Sequence, residues 1–286
     1  MISSDKVLSE GVGDNNPGLH IMYADMKIAV RDMRRGVDLS AGGLRMARFA
    51  WVVRALFAIS LACLQVAFRL AGPDTKWVYS FLFNNLFLSY LPIEMSLHIS
   101  TKLPRMALWA MLLLWLFFYP NAPYMLTDLF HVSKFADYIV SPNGRVTSLL
   151  QPDIVMWTLF SSVVAVVFVV ALLGAWSLDH VAEAILGRFG VRGRLLPKAA
   201  LVVVITFLAG VGIYLGRFPR MNSVDLFLRP RWSFDKVAAA LNTGLLAFAA
   251  LMSAVQTVVW ATFSFVCRGL GRSVAASDVA DSPLSV

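Results

Sequence analysis

The sequence predicts an all-α fold, an integral membrane helical bundle of about six transmembrane helices, and three observations carry that prediction. Of the 286 residues, 58% are hydrophobic and 15% charged, whereas soluble domains carry about 25% charged residues. Several apolar windows reach about 20 residues, which at about 1.5 Å rise cross a hydrocarbon core of about 30 Å. The runs are continuous rather than alternating in blocks of about ten, so helices are expected and not a barrel.

The expected spans are Phe49 to Ala71, Trp77 to Ile99, Arg105 to Tyr119, Asp153 to Trp176, Pro197 to Gly216 and Val237 to Cys267. They divide the chain into an N-terminal extension (1–48), a transmembrane domain (49–268) and a tail (269–286) expected to be disordered. Within the extension, Leu19, Met22, Tyr23, Met26, Val30, Met33 and Val37 recur at spacings of three and four, with Lys27, Arg31, Arg34 and Arg35 among them. That pattern predicts an amphipathic helix over residues 19–37. Two uses are open for it, binding to anionic membrane lipids or docking of a cytoplasmic protein partner, beside a translation start at Met22 or Met46.

A net charge of +8 would suit nucleic acid, but in so apolar a chain basic residues set topology, and no nucleic-acid partner is expected. Six Lys and Arg lie between Lys27 and Arg48, two at Lys102 and Arg105, four from Arg188 to Lys198 and two at Arg268 and Arg272, fourteen on one side. The other side has eight: Lys76, Lys134, Arg145, Arg217, Arg220, Arg229, Arg231 and Lys236. Both termini are therefore expected in the cytoplasm. Cys63 and Cys267 have no pairing or metal-ligand spacing, and the first apolar run is too long for a cleavable signal.

The third span runs into "YPNAPYMLTDLFH", Tyr119 to His131. Pro120 and Pro123 remove backbone donors and clash one turn back, so the span is expected to end there, with Asn121 as N-cap of a new helix from about Ala122. On that helix Tyr124, Thr127, Asp128 and His131 share one face, set in an apolar surround of Met125, Leu126, Leu129, Phe130 and Val132. Ionisable groups at membrane depth turn toward a partner or a pocket, which makes Asp128 and His131 the candidate proton-transfer pair. Two histidine or carboxylate ligands are too few for a metal, so no metal is expected, and the sequence leaves any other cofactor unknown. Upstream, Asn84 and Asn85 sit well inside the second span and need hydrogen-bond partners; Asn242 and Gln256 in the last span read as similar interhelical links. Arg54 is placed to extend to the interface, with Glu94 interfacial.

The last outer connection, "GIYLGRFPRMNSVDLFLRPR", carries Arg217, Arg220, Arg229 and Arg231 with Lys236 just beyond, against the topological trend. Arg217 and Arg220 flank Pro219, and Asn222 and Asp225 follow. Guanidinium groups there fit either an ion pair, Arg217 with Asp128 or Asp225, or a fork for phosphate or carboxylate.

"FFYPNAPYMLTDLFH" paired with "GIYLGRFPRMNSVD", after the Asn-rich "FNNLFLSYLP", resembles the bacterial membrane family called domain of unknown function 1361. The resemblance covers roughly Val78 to Arg231. It implies a polytopic inner-membrane protein and supplies no reaction. Its signature falls on Asn121, Pro123, Tyr124, Thr127, Asp128 and His131, then on Gly216, Arg217, Arg220, Asn222, Ser223 and Asp225. The chain has Met221 and Val224 where the family often has tryptophan.

Three functions stay open on the sequence. One is an extracytoplasmic pocket for an anionic ligand or lipid head group, lined by Asn121, Tyr124, Thr127, Arg217, Arg220, Asn222 and Asp225. The second is a transporter or channel subunit with Asn84, Asn85, Asp128 and His131 along the path. The third is a structural or assembly protein whose polar motifs lock helices. No G-x-S-G nucleophile and no PSGH-type phosphatase motif is present. The charge distribution generates one prediction: a reporter active only outside the cytoplasm should stay silent when fused after Val286, and activity there would invert the topology.

Overall fold

The computed structural model describes residues 39–70, 76–100, 103–130, 154–191, 193–221 and 225–280. They form nine helices: α1 (Leu39–Leu70), α2 (Lys76–His98), α3 (Arg105–Phe118), α4 (Asn121–Asp128), α5 (Ile154–Arg188), α6 (Leu195–Arg217), α7 (Asp225–Leu228), α8 (Pro230–Ala240) and α9 (Thr243–Ala280). No strand occurs among the described residues. The amphipathic helix expected over 19–37 lies outside them. Two compact units divide the chain, one of Ala50–Ser264 and one of Met1–Phe49 with Phe265–Val286. In the second unit, the described residues are the start of α1 and the end of α9, so the tail expected to be disordered from residue 269 is helical as far as Ala280.

Among the described residues, five helical stretches are long and apolar enough to cross a membrane: Ala47–Arg69, Arg105–Asp128, Phe160–Arg188, Leu195–Arg217 and Thr243–Gly269. The sixth expected span is present as α2, which has the length but is diluted by Ser80, Asn84, Asn85, Ser89, Glu94 and Ser96. This polar helix packs on α3, α4 and α5, which buries Ser89 and Ser96 and half-buries Asn85 and Glu94, while Ser80 and Asn84 stay exposed.

The fourth expected span does not end at Trp176, since α5 runs on to Arg188, and two further boundaries differ for physical reasons. The third span does not end at its prolines. Its first segment, α3, has 14 residues, a rise of only about 21 Å, which cannot cross a core of about 30 Å. Tyr119 and Pro120 keep right-handed helical torsions, so the chain kinks and continues through α4 to Asp128. The last span starts at Thr243 rather than Val237. Asn242 caps it by accepting a 2.9 Å hydrogen bond from the Leu245 N–H, a local role in place of the expected interhelical one. The stretch before it is the separate helix α8.

The core of the Ala50–Ser264 unit has two apolar clusters. Leu64, Ala67, Leu82, Leu86, Ala122, Met125, Val163 and Val167 join α1, α2, α4 and α5. Toward the opposite ends of α3 and α5, Leu108, Leu112, Trp115, Leu178, Val181, Val202, Ile205 and Trp260 join α3, α5, α6 and α9. Because lipid is as apolar as these side chains, close packing and hydrogen bonds hold the helices together. Thr206 and Ser253 hydroxyls meet at 2.8 Å between α6 and α9, and Gln256 Nε2 donates to the Thr206 carbonyl at 3.3 Å. Beside them Gly210 brings the two backbones together: a Cβ there would stand 2.7 Å from the Ala249 carbonyl oxygen. Gly210→Ala should therefore lower stability by about 1–3 kcal/mol of overpacking, partly offset by about 1 kcal/mol of helix propensity. Thermal unfolding in detergent checks this; an unchanged or raised Tm would contradict the close approach.

Candidate functional site

The kink builds the site. Pro120 and Pro123 have no N–H to donate, so the Ala122 N–H shifts to the Tyr119 carbonyl at 3.0 Å and leaves the Phe118 carbonyl without its helical donor. Asn121 supplies the replacement: its Nδ2 donates to Phe118 O at 2.9 Å. The expected N-cap thus works in the reverse direction, donating backward instead of accepting forward, and its amide is committed to the backbone rather than to a ligand.

Beyond the kink, Asp128 is buried with 0% exposure. Its Oδ2 accepts 2.8 Å from Asn85 Nδ2 on α2, and its Oδ1 lies 3.5 Å from Arg217 Nη1 on α6. A carboxylate in so apolar a bundle persists only with such partners. The Asn85 side chain, read from sequence as an interhelical amide, has its partner here; Asn84 is exposed.

Arg217 is placed by the end of α6. Gly212 and Gly216, one turn apart, let that helix lie against the kink: a Cβ at Gly212 would come within 2.7 Å of the Pro120 ring, and one at Gly216 within 3.4 Å of the Tyr124 ring. Small residues four apart are a common means of close helix contact in membranes. The guanidinium then reaches three acceptors on α4: besides Asp128, the Tyr124 hydroxyl at 3.5 Å from Nη1 and the Thr127 carbonyl at 3.2 Å from Nη2. Its Cζ also stands 5.8 Å from the centre of the Tyr124 ring, a cation–π distance. The Thr127 hydroxyl, expected to face the pocket, instead donates to the Tyr124 carbonyl at 2.7 Å. The contribution of Thr127 is its main-chain oxygen, which no side-chain pattern displays.

The structure therefore brings Tyr124, Thr127, Asp128 and Arg217 together and adds Asn85. Arg220, at a left-handed φ of 56°, is exposed beyond the end of α6 and is not part of these contacts. Asp225 opens α7, and its carbonyl accepts from the Arg229 N–H at 2.8 Å. His131 and Asn222 lie outside the described residues. Among the described residues no three His, Cys, Asp or Glu side chains converge on a metal position.

Two charged clusters lie at the opposite ends of these helices; in the sequence Arg54 and Glu94 read only as separate interfacial residues, and the cluster around Lys198 was not singled out. Arg54 binds Glu94 through Nη2 at 2.5 Å and Nε at 3.3 Å, and the Tyr90 hydroxyl donates to the same carboxylate. Lys198 is buried between Asp179 at 2.7 Å and Glu183 at 2.8 Å, with Trp260 Nε1 donating to Asp179 at 2.8 Å. Apart from Tyr90 and Glu94, one turn apart on α2, the partners are 15 to 81 residues apart. The only sequence signal was an i, i+4 pair of acids late in α5, ahead of a lysine.

The family model for DUF1361, described as a protein of unknown function, matches residues 84–259. The chain belongs to this family. The match opens at Asn84, beside the Asn85 that holds Asp128, and it includes both the kink and Arg217. Searches of curated proteins and of solved structures give no match.

The Asp128–Arg217 pair predicts a nonadditive mutant cycle. Asp128→Ala should cost about 3–5 kcal/mol, because the guanidinium loses its carboxylate and the Asn85 amide its acceptor. Arg217→Ala should cost less, since its side chain is 21% exposed. The double variant should fall short of the sum by at least about 0.5 kcal/mol. Unfolding in detergent measures all three, and strict additivity would remove the coupling.

Proposed function

We propose that this DUF1361 protein is a multi-pass protein of a bacterial cytoplasmic membrane, with both termini cytoplasmic, whose extracytoplasmic end binds the phosphate-bearing head group of an anionic lipid. The observation that carries this is the state of Arg217: a guanidinium anchored by a fully buried carboxylate and an aromatic ring, with its side chain still 21% exposed at the end of a membrane helix. Guanidinium groups present flat, permanently charged forks that suit phosphate. In this reading Asp128 is a positioning residue. Both its oxygens are engaged by Asn85 and Arg217, which favours orientation of the arginine over proton transfer to a ligand.

The segment after Arg217 supports a lipid rather than a soluble anion. Helix α8 is anchored by buried Ser233 and Ala240, while Phe234 is 74% exposed and Leu228 and Leu241 are exposed nearby. Arg229, Arg231 and Lys236 are exposed on the same stretch, and Lys236 lies 5.6 Å from the Trp232 ring centre. A short helix with aromatic and basic residues side by side suits the head-group layer.

A second reading, that Asp128, Asn85 and Arg217 only lock three helices, is favoured by the zero exposure of Asp128. Purified protein in neutral detergent, titrated with phosphatidylglycerol and with phosphatidylcholine and followed by native mass spectrometry, separates the two. Binding should prefer phosphatidylglycerol, and Arg217→Gln should weaken it by about tenfold or more, the value of one charge-assisted hydrogen bond. If Arg217→Gln lowers stability and leaves lipid preference unchanged, the helix lock is its whole role.

A further inference from the structure

Helix α2 crosses between α1 and α3, and one of its faces is left open. Ser80, Asn84 and Phe87 are exposed on it and Leu91 is half-buried, at successive spacings of four, three and four, so the four residues form one seam. Asn84 lies eight residues from the helix start at Lys76, about 12 Å of rise, which sets its amide well inside a hydrocarbon core of about 30 Å. Its neighbour Asn85 turns inward to Asp128, whereas no group hydrogen-bonds Asn84 among the described residues. An amide in hydrocarbon is disfavoured until its donor and its acceptor are met. Gln65 on α1 is exposed too, but it stands only five residues, about 8 Å, from the end of its helix at Leu70, and its longer side chain extends toward the head groups.

At the depth of Asn84 neither water nor a head group is in reach, so the group that meets it comes from another membrane helix. A second copy of this chain fits. Copies of one chain insert in the same direction, which brings their Asn84 residues to the same level, and an amide carries both donor and acceptor. Across a twofold axis each amide can donate to the other. The spacing of four, three and four is that of helices packed side by side at about 20°, and asparagine in such a seam is the residue type that fixes register and pairing. We propose that the Ser80–Asn84–Phe87–Leu91 face of α2 is a contact between two copies of this chain, with the two Asn84 amides hydrogen-bonded to each other. The contact is short, because the next residue in the same register is Glu94, which Arg54 engages. Three turns with one polar pair make a reversible dimer.

Disulfide cross-linking of the full chain in cell membranes tests this, in a background carrying Cys63→Ser and Cys267→Ser. Ser80→Cys should give a cross-linked dimer, and Leu246→Cys, exposed at similar depth on α9, should not. Equal cross-linking at the two positions, no dimer from Ser80→Cys, or its cross-linking to a different protein would each overturn the proposal. Counting subunits by photobleaching of labelled protein in liposomes, over a dilution series, gives an independent reading. Asn84→Leu should weaken dimerisation by about threefold or more while the Tm of the monomer in detergent holds. A dimer unchanged by Asn84→Leu would remove the amide pair. A lowered monomer Tm would place the partner of Asn84 within its own chain and overturn the contact between copies.

Discussion

A carboxylate with no solvent exposure, set among apolar helices, has to be met by donors from outside its own helix, and the end of this bundle is organised around meeting Asp128. Asn85 comes from α2 and Arg217 from α6, so three helices are fixed in register at one level of the membrane. For Arg217 to arrive, α6 must approach the kink at backbone distance, which Gly212 and Gly216 permit. For α2 to offer Asn85, it must be the polar, central helix that it is. The composition of α2 and the glycine spacing in α6 both serve one buried charge, and the proline kink supplies the helix that carries it.

The prolines show where local chemistry misleads. Their effect on hydrogen bonding is as the sequence implies, since two main-chain donors are lost. The larger constraint is the thickness of the hydrocarbon core, which a 14-residue helix does not cross. Continuation is forced, and the break becomes a kink repaired by a shifted N–H and the Asn121 amide. A sequence reading that weighs the proline before the bilayer assigns Asn121 to a site and ends the span too early.

The helical class and most of the spans were legible, because apolar run length is a one-dimensional property, whereas the partner of Arg217 stayed open between Asp128, Asp225 and an anionic ligand. Partner choice across helices was not legible. Whether Asn84 or Asn85 faces the bundle depends on helix rotation, a 100° difference that packing decides. The main-chain role of Thr127 and the burial of Lys198 between Asp179 and Glu183 have the same origin: both follow from which faces meet. Asn242 was misread for a different reason, since a cap and an interhelical amide have the same residue type and only the helix start distinguishes them.

The two ends of the bundle differ in how their charge is balanced. At the end bearing Lys198 and Arg54, cations lie at 2.5–2.8 Å from carboxylates, close enough for strong pairs. At the other end Arg217 stands 3.5 Å from Asp128, and the stretch from Arg217 to Lys236 has five basic residues against two acidic ones, Asp225 and Asp235. Of these cations Arg220, Arg229, Arg231 and Lys236 are exposed. In the proposed topology, with both termini cytoplasmic, an excess on that side opposes the bias that orients the chain. Internal pairing leaves a net positive charge in the stretch whatever its two aspartates contact. At physiological salt such a field extends about 8 Å, and in the proposed reading it crosses the head-group layer, where anionic lipid would be the counter-charge within reach.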